Sequence, residues 1–371
     1  MLTNSYCHFT HVEMLTTGDK WKVEQIDGVL VVRLKTIAYG GNGWKRAINM
    51  LLNAYRCLQF ARQAGEVPDV VIGPSVPILT GWAASHVARS KSAAFIYEIR
   101  DLWPQALVDL GKIRAGGLTE RIFKIIERSL YNRAFHIVSA LPYAYRHIEK
   151  FGVARNKITW IPNGVDLNPF EKIKEYGGGE PGYINLLYLG RFAAGHDINT
   201  ILDCAIILKE KYAEKMRFII IGDGPDKEKY YEKVKVNELN NVEFQEMVPK
   251  SEVASKCEMA DILIASIHDI SVFKYGINLN KLYDYFASGR PVILSANTPN
   301  DPVTDSGAGI TVKAENPMLM AEVIISIYNM SPTDRAVMGM KAKKYARQYY
   351  DKCVLTDKYE LILNKWLSDS N

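Results

Sequence analysis

Two hydrophobic rhythms divide the chain. Residues 22–35 follow the first: Lys22-Val23-Glu24-Gln25-Ile26 and Val29-Leu30-Val31-Val32 are β-rich runs on either side of Asp27-Gly28. An Asp-Gly pair between such runs is a two-residue turn signal and predicts a hairpin. From Trp44 to Ala61 the spacing turns helical, with Trp44, Ile48, Leu51, Tyr55 and Leu58 on one face and Lys45, Arg46 and Arg56 opposite. Short apolar runs then alternate with helical segments, at residues 69–73, 94–97, 136–139 and 157–161. That spacing predicts a mainly parallel, doubly wound sheet.

The stretch EKIKEYGGGEPG, residues 171–182, is polar and glycine-rich, and residues 166–183 read as a linker. A second alternation follows, with strand-like runs at 184–189, 217–221, 242–244, 261–265 and 291–294. The expected organisation is α/β throughout: a first domain over 1–165, a second over 184–335, and helices over 336–371 that pack back toward the first. Two successive doubly wound sheets put a ligand cleft at the carboxyl ends of their strands.

At 371 residues the chain exceeds the size at which single cores stop growing, which agrees with two domains. Its composition, 48% hydrophobic and 23% charged, excludes a disordered or fibrous chain. No run reaches the roughly 18 apolar residues of a membrane span, and no apolar leader segment opens the sequence. A cytoplasmic protein is expected. Cys7, Cys57, Cys204, Cys257 and Cys353 stand singly, so neither a zinc site nor a disulfide framework is indicated.

Charge changes the picture further. Residues 1–165 hold 21 Lys/Arg and 12 Asp/Glu, a balance of +9, which leaves 25 and 29, or −4, for the rest. A basic first half suits an anionic partner. Lys45, Arg46, Arg56, Arg121, Lys124, Arg128 and Arg133 lie on two predicted helices among apolar faces. A lipid-linked acceptor at the inner face of the cell membrane would explain them. Two amphipathic helices packed on a sheet, with solvated charges, would explain them too. No recognition motif for nucleic acid accompanies the charge.

The most informative segment is FKYGINLNKLYDYFASGRPV, residues 273–292. A loop, Tyr275-Gly276-Ile277-Asn278-Leu279-Asn280, leads into a helix that begins near Lys281, carries Asp284, and stops at Gly289. Backbone N–H groups and a helix N-terminus form a natural pyrophosphate site, and Lys281 adds a cation there. Asp284 could accept from ribose hydroxyls. An ordinary loop–helix–strand crossover would use the same residues. Tyr188-Leu189-Gly190-Arg191 places a small residue and an arginine fork after a strand, and Ile221-Gly222-Asp223-Gly224-Pro225 marks a second strand-to-turn junction.

In order and spacing, these segments resemble the GT-B glycosyltransferases, specifically the retaining family 4. The matching elements are Pro162-Asn163-Gly164-Val165-Asp166, Gly190-Arg191, Ile221-Gly222-Asp223-Gly224-Pro225, Val248-Pro249 and Asp284 with Ala287-Ser288-Gly289-Arg290-Pro291-Val292. Ile26-Asp27-Gly28-Val29, Tyr39-Gly40-Gly41-Asn42-Gly43 and Arg100-Asp101-Leu102-Trp103-Pro104 are similar to the amino-sugar transferases of bacterial O-antigen and capsule synthesis. The resemblance implies two Rossmann-like domains and transfer from a nucleotide-sugar, a UDP-sugar, to a glycan or lipid-linked acceptor, with no metal and no cofactor.

By the same resemblance, Arg191, Lys281 and the 276–280 amides would stabilise the departing diphosphate. Gly190, His196, Gly222, Met247, Val248, Tyr275 and Asp284 would complete the nucleotide-sugar site. Asp101 would be the polar catalytic contact, with Glu98 as second candidate; a helix-capping role for Asp101 is the structural alternative. Where the family has two acids separated by seven residues, Gly276 stands at the first place and Asp284 at the second. The chain also opens without the strand and glycine-rich loop expected ahead of Asn4-Ser5-Tyr6-Cys7-His8. A sugar-nucleotide epimerase of the same architecture, or a non-catalytic nucleotide-sugar-binding subunit, are the alternative functions.

Overall fold

The computed structural model describes residues 1–7, 12–15, 18–41 and 43–370. His8 and Asn42, named in the motifs above, lie outside them. The chain forms two compact units, one of Met1–Ile161 with Leu361–Asn371 and one of Pro162–Glu360.

In the first unit, β1 (Leu2–Asn4), β2 (Trp21–Ile26) and β3 (Val29–Leu34) form a small sheet in the order β1-β3-β2. The β2–β3 hairpin turns on Asp27 and Gly28, at φ 49° and 78°. Both turn residues are left-handed, the geometry that an Asp-Gly pair accommodates. After α1 (Trp44–Gln63) come β4 (Val70–Pro74), β5 (Ala94–Ile99), β6 (His136–Ser139) and β7 (Ile158–Trp160), all parallel and in sequence order. The helices between them are α2 (Ile78–Ser90), α3 (Gln105–Asp109), α4 (Leu118–Arg133) and α5 (Tyr145–Ile148).

The two long helices face the opposite way from a simple amphipathic reading. On α1 the ridge Trp44, Ile48, Leu51 and Tyr55 is exposed, and Asn49, Asn53, Ala54 and Cys57 are buried. Hydrogen bonds explain the choice. Asn49 accepts from Asn4 Nδ2 at 2.7 Å and donates to Ile37 O at 2.7 Å, and Asn53 donates to Thr80 at 3.2 Å. On α4, Glu120, Glu127, Leu130 and Tyr131 face inward. The Glu127 carboxylate accepts from the Tyr131 hydroxyl and meets His147 Nε2, each at 2.8 Å. Hydrogen-bonded polar groups hold these inner faces, although Asn53 Oδ1 and Glu127 Oε2 find no partner among the described residues; periodicity alone does not say which face turns in.

The second unit begins with α6 (Asn168–Glu171) and carries six parallel strands. These are β8 (Ile184–Leu189), β9 (Met216–Ile221), β10 (Val242–Gln245), β11 (Ile262–Ser266), β12 (Val292–Ser295) and β13 (Gly309–Val312), in the order β10-β9-β8-β11-β12-β13. Every residue of β11 and β12 is buried, as expected of strands covered on both faces. Leu187, Ile219, Leu263 and Leu294 pack with Phe286 on one face; Leu186, Ile220, Ile264 and Ile293 pack with Leu202 and Ile324 on the other.

The covering helices are α7 (Ile198–Tyr212), α8 (Lys227–Val236), α9 (Val253–Glu258), α10 (Asn280–Ser288), α11 (Pro302–Ser306), α12 (Pro317–Tyr328) and α13 (Pro332–Tyr345). Several start on side-chain caps: Asp197 accepts from Thr200 N at 3.0 Å, Asn316 from Leu319 N at 3.0 Å and Ser331 from Asp334 N at 3.1 Å. Pro317 and Pro332 occupy first-turn positions, where proline costs no hydrogen bond. The final helix, α14 (Lys352–Ser370), leaves the second unit and ends in the first, where Trp366 meets Phe135 edge to face at 5.1 Å.

The glycine-rich stretch expected to be a linker is docked in the second unit. Lys174 N donates to Glu258 Oε1 at 2.7 Å, and Arg290 Nη2 donates to Lys174 O at 3.2 Å. No helix among the described residues is long and apolar enough to cross a membrane.

This packing predicts a contrast measurable by thermal denaturation. Leu51→Gln and Ile125→Gln, on exposed ridges, should change stability by less than about 0.5 kcal/mol. Glu127→Ala, which removes one hydrogen-bond partner from each of the buried His147 and Tyr131, should cost about 1–3 kcal/mol. Equal losses in the three variants would show that the helix faces are assigned wrongly.

Candidate functional site

The strand order of the second unit reverses beside β8: β9 and β10 continue to one side, β11 to β13 to the other. In open parallel sheets a ligand binds beyond the carboxyl ends at such a switch. Three segments supply that region. β8 runs into Gly190-Arg191, β11 runs into Ile267-His268, and α10 starts at Asn280.

Lys281, in the first turn of α10, is buried, and its Nζ has no hydrogen-bond partner among the described residues. The ammonium lies 3.7 Å from the centroid of the Tyr188 ring, a cation–π contact. Burial holds its pKa well below the ordinary lysine value. Gly190, at φ 149°, makes room for it: a Cβ there would stand 2.9 Å from both Cε and Nζ of Lys281. Gly222 is fitted as closely, since a Cβ would meet Gly190 O at 2.1 Å. His196 completes the group, with a buried Nδ1 that lacks a partner. Burial first, and the Lys281 charge second, lower its pKa to about 3, so it is neutral at pH 7. Ser266 and Ser295, at the ends of β11 and β12, also have buried hydroxyls without partners. Such atoms are uncommon in folded proteins, and of these four Lys281 and His196 lie close enough for the lysine charge to act on the histidine. Arg191 is exposed beside them.

The loop before α10 is only partly available. Gly276 N donates to Phe273 O at 2.9 Å and Ile277 N donates to Asn300 Oδ1 at 2.8 Å. Those two amides, expected to face a diphosphate, are therefore engaged within the protein; the amides of Asn278, Leu279 and Asn280 carry no such bond among the described residues. Asn278 Oδ1 accepts from the Tyr283 hydroxyl at 2.5 Å, and Asn163 Nδ2 donates to Asn280 Oδ1 at 2.8 Å. Tyr275 is buried at the start of the loop.

Asp284, the expected ribose acceptor, is buried and already paired: Lys250 Nζ donates to its two oxygens at 2.5 and 2.6 Å. Burial raises the Asp284 pKa, and Lys250 opposes the rise. Met247 is exposed shortly before Lys250, and Val248 packs against the core. Neither Lys250 nor the supporting Tyr285, whose hydroxyl accepts from Leu189 N at 2.8 Å, carries a signal in the sequence. Asp197, His268 and Glu315 come within 4.8 Å of one another. Their own hydrogen bonds account for the cluster: Asp197 caps α7, and His268 Nδ1 meets Glu315 at 2.8 Å.

Glu98 and Asp101 belong to the first unit, at and just beyond the carboxyl end of β5. Glu98 accepts from Arg100 Nε at 3.4 Å. Ser75, which sequence reasoning missed, shapes the turn: its hydroxyl donates to Asp101 O at 2.8 Å and accepts from Arg100 N at 3.1 Å. Asp101 does not cap a helix, because α3 starts at Gln105 with Pro104 in the cap position. Its side chain is exposed, while protein packed around it raises its pKa.

Two parallel-sheet units, with buried polar atoms gathered at the switch point of the second, define the class: a GT-B chain. Residues 7–164 match the glycosyl transferase 4-like domain, and residues 184–330 match the glycosyl transferases group 1 domain. Together the two take in most of the chain, which belongs to the GT-B glycosyltransferases.

Among curated proteins, an uncharacterized protein in the cps region of Klebsiella pneumoniae is 27% identical over 56% of this chain and 56% of its own length. An uncharacterized glycosyltransferase of Methanocaldococcus jannaschii is 23% identical over 65% of this chain and 61% of its own. The alignment thus spans less than two thirds of either relative. Sucrose-phosphate synthase from Thermosynechococcus elongatus superposes with a TM-score of 0.74 at 14% identity, covering 95% of this chain and 87% of that one. Anabaena HepE in complex with UDP-glucose gives 0.65 at 12% identity, covering 91% and 86%.

The buried lysine has a testable signature. Its pKa in the folded protein lies below the unfolded value, so between the two the unfolded chain binds more protons and stability rises with pH; below both, the cost of burying the charge is felt in full. Lys281→Met should therefore raise the melting temperature at pH 7, and the gain should shrink as pH climbs toward 10. A variant no more stable than the parent would show that the ammonium has a partner after all.

Proposed function

We propose that the chain is a retaining, metal-independent glycosyltransferase that moves a sugar from a UDP-sugar to a glycan or lipid-linked acceptor of a bacterial surface polysaccharide. The observation that carries this reading is Lys281, a buried ammonium without an anion beside Gly190 at the switch point. A cation held out of water, next to a helix N-terminus, suits the diphosphate of a nucleotide-sugar. The Anabaena structure with UDP-glucose supports uridine, and the cps-region relative supports polysaccharide synthesis. Amino-sugar transfer is the donor class favoured by the first-domain motifs.

In this reading Lys281 and Arg191 neutralise charge as it develops on the departing diphosphate, and His196, being neutral, adds a hydrogen bond without competing charge. Ribose hydroxyls replace Lys250 at Asp284. Asp101 contacts the donor sugar or the acceptor hydroxyl, with Glu98 in reserve. The protein works at the cytoplasmic side, where nucleotide-sugars are made.

A thermal-shift screen against UDP, GDP, ADP and CMP, with and without magnesium, tests the donor. UDP at 100 times its dissociation constant should stabilise by about 2.7 kcal/mol with or without metal. Lys281→Met and Arg191→Ala should each lower turnover by about 10²–10³-fold. Unchanged turnover in Asp101→Asn would remove Asp101 from the chemistry. Binding of UDP-sugar with no transfer to any acceptor would instead indicate a non-catalytic binding subunit, and interconversion of the sugar without acceptor an epimerase.

A further inference from the structure

The exposed ridge of α4 has a cationic row beside it. Leu118, Ile122 and Ile125, spaced by four and three residues, are 76%, 46% and 70% exposed, while Glu120 and Glu127 are buried on the far side. This inverts the usual rule, since large apolar side chains gain by leaving water and carboxylates lose. Arg121, Lys124 and Arg128, spaced by three and four, run alongside the ridge and are exposed.

The helix also forms one wall of an open groove of about 540 Å³, lined by Lys124, Ile125, Arg128, Lys150, Phe151 and Gly152. Lys124 reaches back to Glu120 at 2.6 Å, whereas Arg128 and Lys150 have no carboxylate partner among the described residues. Three cations and two apolar side chains thus share one concavity, with an apolar ridge leading away from it.

One kind of partner satisfies both features. An acidic protein surface or a nucleic acid would answer the cations but leave the ridge in water; an apolar protein face would bury the cations unpaired. A bilayer with anionic headgroups takes the ridge into its acyl boundary and the cations at its phosphates. We infer that α4 and the turn at Lys150 form a membrane-docking face selective for anionic phospholipid, with a lipid phosphate in the groove. The surface stands independently of which sugar, or whether any sugar, is transferred.

Co-sedimentation of the full chain with phosphatidylcholine vesicles, with and without phosphatidylglycerol, tests this. Binding is expected only with phosphatidylglycerol and should weaken as salt rises. Each of Lys124→Ala, Arg128→Ala and Lys150→Ala should lower partitioning about fivefold. Ile122→Ser with Ile125→Ser should lower it about tenfold or more. All five positions line the solvent face, so thermal denaturation should show each variant folded; its UDP shift, read separately, keeps a failure here distinct from a failure of the transferase reading. Equal binding to neutral vesicles, no binding, or binding unchanged in the variants would overturn the inference. So would a concentration-dependent dimer abolished by the Ile122/Ile125 change in a chain that ignores vesicles, which would make the ridge a self-association face.

Discussion

A single uncompensated charge organises the second unit. An ammonium out of water is unfavourable unless something answers it, and among the described residues the Lys281 ammonium is answered by the π face of Tyr188 and by no hydrogen-bond acceptor. The neighbouring residues follow from that. Gly190 is a glycine because a side chain would fill the space the ammonium occupies, and Gly222 because one would strike the Gly190 carbonyl. His196 stays neutral because burial disfavours its charged form, and the neighbouring Lys281 charge adds to that. The apolar sheet below, with β11 and β12 buried throughout, supplies the surplus stability that lets the fold carry such a group. An arriving anion then meets a cation whose desolvation was completed during folding, which is what preorganisation means in free-energy terms.

Much of this could be read from residues alone, for identifiable reasons. Strands covered on both faces must be apolar throughout, so β8, β9, β11 and β12 stand out as runs. The Asp-Gly turn and the stop at Gly289, in the left-handed conformation at φ 69°, depend on local backbone geometry and appear where expected. β13 was missed because Gly309-Ile310-Thr311-Val312 is short and half-buried. The orientation of α1 and α4 was missed for a deeper reason. Three-dimensional partners such as Asn4 for Asn49 and His147 for Glu127 decide which face is buried, and they lie 45 and 20 residues away.

The candidate site divides in the same way. Lys281, Gly190 and Gly222 were legible because each is set by a local turn or a helix start. Lys250 was not, because its pairing with Asp284 joins residues 34 apart across separate elements. Nor was Ser75, which acts on the turn at Asp101 from 26 residues away. Asn300, which takes up the Ile277 amide, belongs to the same group.

The division of labour between strands and loops has a consequence for descent. The groups at the switch point stand on loops, strand tips and a helix start, whereas packing is fixed mainly by the aliphatic residues of the strands. Mutations can therefore rewrite the rim without weakening the frame, and the frame can drift by volume-conserving exchanges without disturbing the rim. A lineage built this way diversifies quickly at constant architecture, and sequence identity decays long before shape does. Superposition over 95% of the chain at 14% identity shows one fold carried by two largely different sequences.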